Sequence, residues 1–289
     1  MKILILGCGQ LGLYLHDYLK QKHDDWIINI LTIRIDDYSF MGGKTYLRSD
    51  NDVVINTIAV SNTRTCEANW SETAKVNAAF PIKLAMNRFC ASYRYHYSCE
   101  NLPKDLPHLV HISTGCIFDG NTFPISEEAN PTPLINYARQ KHIAEICADI
   151  YPKTTILRPR MIFSDRALAS NLIYKVNGFS RLLDEPNSMT SAIDLCEVID
   201  KVIEQKAYGT YNVCNEGLSS PYRVKQLIAE IWNKDQTIEK ISKDELLEEM
   251  NGLQLTNTWI DSTKISSLYK MPPVEDRLRE MIQKSEWLA

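Results

Sequence analysis

Two side chains four residues apart, Tyr137 and Lys141 in Tyr137-Ala-Arg-Gln-Lys141, have the types and the spacing for proton transfer. Residues at i and i+4 share one face of a helix. An ammonium beside a phenol favours the phenolate, so such a pair can pass a proton near neutral pH. Upstream, the stretch His111-Ile-Ser-Thr-Gly-Cys-Ile-Phe-Asp-Gly120 places Thr114 just past Leu109 to Ser113, which reads as a strand. A hydroxyl at a strand end can hold a substrate carbonyl beside the phenol. Together these groups can protonate the alkoxide that forms when a nicotinamide delivers hydride to a ketone. Tyr-x-x-x-Lys by itself occurs by chance on exposed helices. Its value here comes from order, because a glycine-rich loop, the Ser-Thr strand end and a Pro-rich loop precede it in that sequence.

The glycine loop is Gly7-Cys8-Gly9-Gln10-Leu11-Gly12, directly after the apolar run Met1 to Leu6 and before the amphipathic stretch Leu13 to Lys20. This is the strand–GxGxxG–helix arrangement that the pyrophosphate of a dinucleotide requires. Gly7 permits the tight turn, Gly9 the close approach of backbone to phosphate, and Gly12 the packing of helix on strand. The helix N-terminus adds free N–H groups and the positive end of its dipole. The second strand ends at Arg34, ahead of Ile35-Asp36-Asp37. A basic residue there can grip the 2′-phosphate of NADP, whereas an acidic one would take the ribose hydroxyls of NAD, so NADPH is expected, with NADH as the alternative.

These groups need a scaffold of alternating strands and helices, and the sequence supplies one. Strands are predicted over Ile27–Ile33, Val53–Ala59, Leu109–Ser113 and Thr154–Leu157, with helices over Ala68–Arg88 and Leu134–Ile150. Pro81 marks a kink or boundary in the first of these helices. Such alternation implies βαβ units and a doubly wound, parallel, Rossmann-type α/β sheet. Beyond Arg160 the pattern loosens. Helices are expected near Leu168–Asn177, at Ile193–Gln205, Tyr222–Asn233, Lys243–Met250 and Val274–Trp287, with a short strand at Gly209–Val213. The expected division is a cofactor domain of 1–160 plus about 191–215, and a smaller α/β substrate-binding part of 161–190 and 216–289.

Composition bounds the alternatives. The 289 residues carry a net charge of −4, which offers no electrostatic case for nucleic acid or a membrane surface. No apolar run reaches the ~20 residues of a membrane span. The N-terminal run ends in glycines and reads as a strand rather than a signal peptide. Eight cysteines are scattered without a CxxC pair, suggesting reduced thiols in a cytoplasm. The six histidines show no metal-ligand spacing, so no metal is expected.

The motifs resemble those of the extended short-chain dehydrogenase/reductases that act on nucleotide sugars. The likeness is to the dTDP-4-dehydrorhamnose reductases and the bifunctional 3,5-epimerase/4-reductases of rhamnose synthesis. It rests on Gly7 to Gly12, Val76-Asn77-Ala78, Ser113-Thr-Gly-Cys-Ile-Phe-Asp-Gly120, Pro131-Thr-Pro133, Tyr137-x-x-x-Lys141, Leu157-Arg-Pro-Arg-Met161 and Pro186-Asn-Ser-Met-Thr190, and it thins beyond about residue 220. The resemblance implies reduction of the 4-keto group of a nucleoside-diphosphate 4-keto-6-deoxy sugar, by a triad of Thr114, Tyr137 and Lys141. It implies cofactor contacts from Gly7, Gly9, Gln10, Leu11, Gly12, Arg34, Ala59, Asn77, Tyr137 and Lys141, and Asn77 would also help organise the site. Cys116 stands where the epimerase/reductases carry their acid/base cysteine, and Lys175 lies in the segment that carries their opposing lysine. A small space-filling thiol and a solvated helix lysine are the plain alternatives for these two. The resemblance also leaves open a related dehydrogenase or C4-epimerase, a regulatory subunit that keeps the fold without catalysis, and a homodimer.

Overall fold

A computed structural model describes residues 1–33, 50–93, 106–233, 237–249 and 254–288. Arg34 lies outside them. The strands are β1 (Lys2–Leu6), β2 (Ile27–Leu31), β3 (Val53–Asn56), β4 (His108–Ile112), β5 (Gly120–Ile125), β6 (Thr154–Pro159), β7 (Ile162–Phe163), β8 (Arg181–Leu183), β9 (Thr190–Ser191), β10 (Gly209–Val213), β11 (Glu239–Ile241) and β12 (Thr258–Ile260). The α-helices are α1 (Gln10–Lys22), α2 (Thr63–Ala68), α3 (Trp70–Ala74), α4 (Phe80–Tyr93), α5 (Asn136–Ala148), α6 (Leu172–Asn177), α7 (Ala192–Glu204), α8 (Pro221–Ile231), α9 (Lys243–Glu249) and α10 (Val274–Lys284).

Six strands form the central sheet in the order β10-β6-β4-β3-β1-β2, and β2, β1, β3, β4 and β6 pair in parallel. The expected doubly wound α/β sheet is therefore present. β1 sits between β2 and β3, so the winding direction reverses beside it. The glycine loop follows directly from its carboxyl end, which is where ligands of such sheets bind. β3, β4 and β6 are buried along their whole length, as expected for strands covered on both faces.

The chain forms two compact units, each assembled from three segments. The first is Met1–Ser113, Asn136–Leu157 and Ile199–Thr210. The second is Thr114–Ile135, Arg158–Val198 and Tyr211–Ala289. In the first, Leu6, Val54, Val76, Phe80, Leu84, Leu109 and Tyr151 make a common core. In the second, Phe163, Ile173 and Val176 pack with Val224, Leu227 and Ile228 of α8 and Leu278, Met281 and Ile282 of α10. The start of α8 follows from its sequence. Ser220 caps it by accepting from Arg223 N at 3.0 Å, and Pro221 supplies the first turn with its fixed φ.

The structure departs from the sequence reading in several places. The single helix expected over Ala68–Arg88 is interrupted, with a five-residue π-helical turn at Lys75–Ala79 joining α3 to α4. Pro81 stands at the second residue of α4 and so starts a helix rather than kinking one. The helix expected from Leu168 begins only at Leu172, because Asn171 caps it, and the C-terminal helix ends at Lys284. Three small parallel pairs, β11 with β8, β12 with β5 and β7 with β9, belong to the second unit and were absent from the sequence reading. Among the described residues no helix is long and apolar enough to cross a membrane.

Candidate active site

The glycine loop has the features of a phosphate cradle. Gly7 sits at φ +109°, in the left-handed region, and a Cβ there would meet Thr57 Oγ1 at 2.8 Å. A Cβ on Gly12 would run into the carbonyl oxygen of Gly7. Around Gly9, by contrast, nothing lies within 4 Å of where a Cβ would stand, so the backbone is open to a bulky anion. Gly9 is also the N-cap of α1 and provides no side-chain cap. Thr57, missed in the sequence reading, donates from Oγ1 to Leu6 O at 2.9 Å and to Gly7 O at 3.2 Å, and so holds the turn. Gln10 and Leu11 open α1, Ala59 is exposed in the loop after β3, and these residues with Gly7, Gly9 and Gly12 fit a dinucleotide.

Asn77 sits in the π-helical turn and is fully buried. Its Oδ1 accepts from Val60 N at 2.8 Å, and its Nδ2 donates to Val60 O at 3.1 Å and to Gln140 Oε1 at 2.9 Å. Gln140 passes the tie on by donating to Thr73 Oγ1 at 2.9 Å. Gln140, just before Lys141, thus locks α5 against the π-helical turn and α3. Such turns recur at functional sites because the extra residue redirects a side chain.

Tyr137 is half-buried at the second residue of α5, and Lys141 is buried one turn later on the same face. Lys141 Nζ donates to Ile112 O, the last residue of β4, at 2.6 Å. Burial pulls its pKa down from 10.5 to about 8, with Glu145 opposing the shift. The interior on this side is polar. His111 is held well below its ordinary pKa by burial and then by the charge of Lys141, and its Nδ1 meets Asn56 Nδ2 at 3.2 Å. His111 is thus a neutral core histidine.

In the second unit, Thr114 Oγ1 accepts from Cys116 N at 3.2 Å and caps the short 3-10 turn Gly115–Ile117. That leaves the hydroxyl proton of Thr114 available as a donor. A Cβ at Gly115 would press on Ile260 at 3.3 Å, so glycine lets β12 approach the turn. Cys116 is buried, and Arg160 Nη1 donates to its Sγ at 2.7 Å. Lys175 lies on α6, behind the Asn171 cap, whose side chain also binds Ser164 N and the carbonyls of Ser164 and Arg166. Lys175 is exposed, yet its surroundings desolvate the amine enough to lower its pKa.

The Pro186-Asn-Ser-Met-Thr190 stretch is a polar hub. Asn187 Oδ1 accepts from Arg160 Nε at 3.2 Å and from Thr258 N at 3.0 Å, and Ser188 Oγ accepts from Ile260 N at 2.8 Å. Spacing along the chain assigns no role to this stretch or to Arg160, whose contacts come from distant segments. The fold also assembles a group that no spacing revealed, His23 with Asp200 and Glu204. Lys22 Nζ reaches Asp200 Oδ2 at 2.9 Å and Lys201 Nζ reaches Glu204 at 2.7 Å, so ammonium groups already balance these carboxylates.

The profile of the family described as RmlD substrate binding domain matches residues 1–286. The chain belongs to that family. Among curated proteins it is 28% identical over 225 residues to the uncharacterized protein L780 of Acanthamoeba polyphaga mimivirus, covering 75% of this chain and 73% of that one. It is 26% identical over 211 residues to the bifunctional dTDP-4-dehydrorhamnose 3,5-epimerase/dTDP-4-dehydrorhamnose reductase of Arabidopsis thaliana, covering 70% and 65%. The crystal structure of the mimivirus protein, described as the L780 UDP-rhamnose synthase, superposes with a TM-score of 0.80 at 24% identity, over 98% of this chain and 99% of that one. A dTDP-4-dehydrorhamnose reductase from Bacillus anthracis, solved in complex with NADP, gives a TM-score of 0.81 at 20% identity, over 99% of each chain. At these identities the two structures speak for the fold.

Proposed function

We propose that this protein reduces the 4-keto group of a nucleoside-diphosphate 4-keto-6-deoxy sugar, in rhamnose-type sugar nucleotide synthesis, with NADPH as the preferred cofactor and NADH as the alternative. The observation that carries this reading is Lys141, an ammonium buried at the end of β4 on the helix face it shares with Tyr137. Bound NADPH supplies the hydride to C4. Tyr137 gives its proton to the oxygen as the carbonyl pair moves onto it, and Lys141 stabilises the phenolate that remains. Thr114 donates a hydrogen bond to the same oxygen, and Asn77 keeps the π-helical turn and α5 in register. Gly7, Gly9, Gln10, Leu11, Gly12 and Ala59 hold the dinucleotide, and Arg34 grips its 2′-phosphate.

Cys116 and Lys175 extend the reading to 3,5-epimerisation. The sulfur takes a proton from the carbon beside the keto group, and the C–H pair moves into an enolate. Lys175 returns a proton to that carbon on the opposite face, so the centre inverts with no net redox change. The Arabidopsis relative is described as carrying both activities, which supports this extension. A cytoplasmic location, a homodimeric assembly and a nucleotide sugar, rather than nucleic acid or membrane, as partner complete the proposal.

The test incubates the protein with UDP-, dTDP- and GDP-4-keto-6-deoxyglucose in D2O, with NADPH or NADH. Cofactor oxidation with deuterium at C3 and C5 of the product supports both steps. Oxidation without deuterium leaves a plain reductase and returns Cys116 to packing. Failure of every pair would favour a related dehydrogenase, a C4-epimerase or a non-catalytic subunit. Cys116→Ser should slow deuterium uptake more than it slows reduction of an already epimerised 4-keto sugar.

A further inference from the structure

Arg160 is buried and carries a permanent positive charge. Its acceptors are Asn187 Oδ1, the carbonyl and hydroxyl oxygens of Thr256, and Cys116 Sγ. Among the described residues it makes no ion pair with a carboxylate. Every one of these partners except the sulfur is neutral at all ordinary pH values. A buried cation without an anion is costly, and the protein retains one only where something compensates it. The Cys116 sulfur is the one partner that can become an anion.

The backbone around Arg160 is built to hold this pose. Met161 adopts φ +44°, the left-handed region that side chains other than glycine avoid. Such strain persists where the surroundings over-determine it, and it clusters at functional sites. Here the surroundings are clear. Arg160 N donates to Thr190 Oγ1 at 2.9 Å, Thr190 Oγ1 donates to Val213 O at 2.7 Å, and β7 pairs with β9 immediately after Met161. The thiol of Cys214 is also buried. Burial pushes its pKa up to about 12, so it stays neutral and does not balance the guanidinium.

We propose that Arg160 is the positioning residue of the epimerase half-site, holding the Cys116 sulfur on its guanidinium and balancing the sulfur's charge when it stands ready to take a proton. This rests on the reading of Cys116 as an acid/base group. The arrangement lets the sulfur alternate between thiol and thiolate in a dry place, with the C–H proton arriving on sulfur and the electron pair leaving into the enolate. Arg160 itself neither gains nor loses a proton.

The test is solvent deuterium uptake at C3 and C5 of the 4-keto-6-deoxyglucose nucleotide, beside reduction of the already epimerised 4-keto sugar. Arg160→Gln removes the charge, and Arg160→Lys retains it while surrendering the fork that serves sulfur and Thr256 together. A charge-assisted hydrogen bond supports an expected fall of about ten- to a hundredfold in the ratio of exchange to reduction for Arg160→Gln. The loss should fall on kcat for exchange, with KM nearly constant. Arg160→Lys should recover part of it, and it decides the matter if Arg160→Gln does not fold. Exchange within about threefold of wild type in the folded variant, or a parallel loss of exchange and reduction, overturns the proposal and leaves Arg160 a scaffold residue. Absence of exchange in the wild-type protein itself would instead overturn the epimerase reading of Cys116 on which the proposal depends.

Discussion

Lys141 allows the cost of the site to be read as a pH dependence of stability. Its pKa is 10.5 in an open chain and about 8 when buried in the fold. Below pH 8 the amine is charged in both states, and the folded state carries the full penalty of about 3.4 kcal/mol. Between these two values the unfolded chain binds the extra proton, so stability rises with pH and the penalty disappears above about 10.5. Evaluating the linkage at pH 7 and pH 9.5 leaves about 3.4 and about 1.4 kcal/mol, a gain of about 2 kcal/mol for the lysine protein. Lys141→Met removes the titrating group while nearly keeping its volume. It also loses the bond to Ile112 O, but that loss does not depend on pH and cancels when two pH values are compared. The comparison is best made in a Tyr137→Phe background, so that the phenol does not titrate. Urea unfolding of both proteins, under reducing conditions at pH 7 and pH 9.5, should show the stability difference moving towards the lysine protein by about 2 kcal/mol. A difference constant to about 0.5 kcal/mol, or one moving towards methionine, would refute the claim that a charged Lys141 is buried at a cost.

Three further outcomes follow from the site. Tyr137→Phe should cut turnover by roughly two to four orders of magnitude while NADPH still quenches intrinsic fluorescence, and near-normal turnover would remove the phenol from the mechanism. Arg34→Ala should weaken NADPH far more than NADH in direct titration, because only the former has a 2′-phosphate for the guanidinium, and an equal loss would break the assignment. In Gly12→Ala the new methyl meets the carbonyl of Gly7. Cofactor affinity should therefore drop at least tenfold, about 1.4 kcal/mol, and unchanged affinity in a binding titration would show that the turn can open.

Local spacing made the glycine loop and the Tyr137–Lys141 pair legible in the sequence. A glycine loop between a strand and a helix, and two residues one helical turn apart, are set by neighbours along the chain, and the fold keeps both. The alternation of strands and helices likewise specified the parallel sheet, because strands joined through crossover helices run in the same direction. The π-helical turn at Asn77 was not legible. Its helical period breaks by one residue, and what stabilises that break is the reach to Val60 and Gln140, the latter 63 residues away. Nor were the small strand pairs. β5 contains Gly120 and Pro124, poor strand residues, and it forms by pairing with β12 from far along the chain. The surroundings of Cys116 were decided in the same way. Arg160 lies 44 residues from the cysteine and 96 from Thr256, and Asn187 joins them from a third segment. Contacts between distant residues leave no period in a single sequence. The sequence therefore shows which residue types are available for proton chemistry, while only the packed chain decides which sulfur meets a guanidinium and which amine is buried at a strand end.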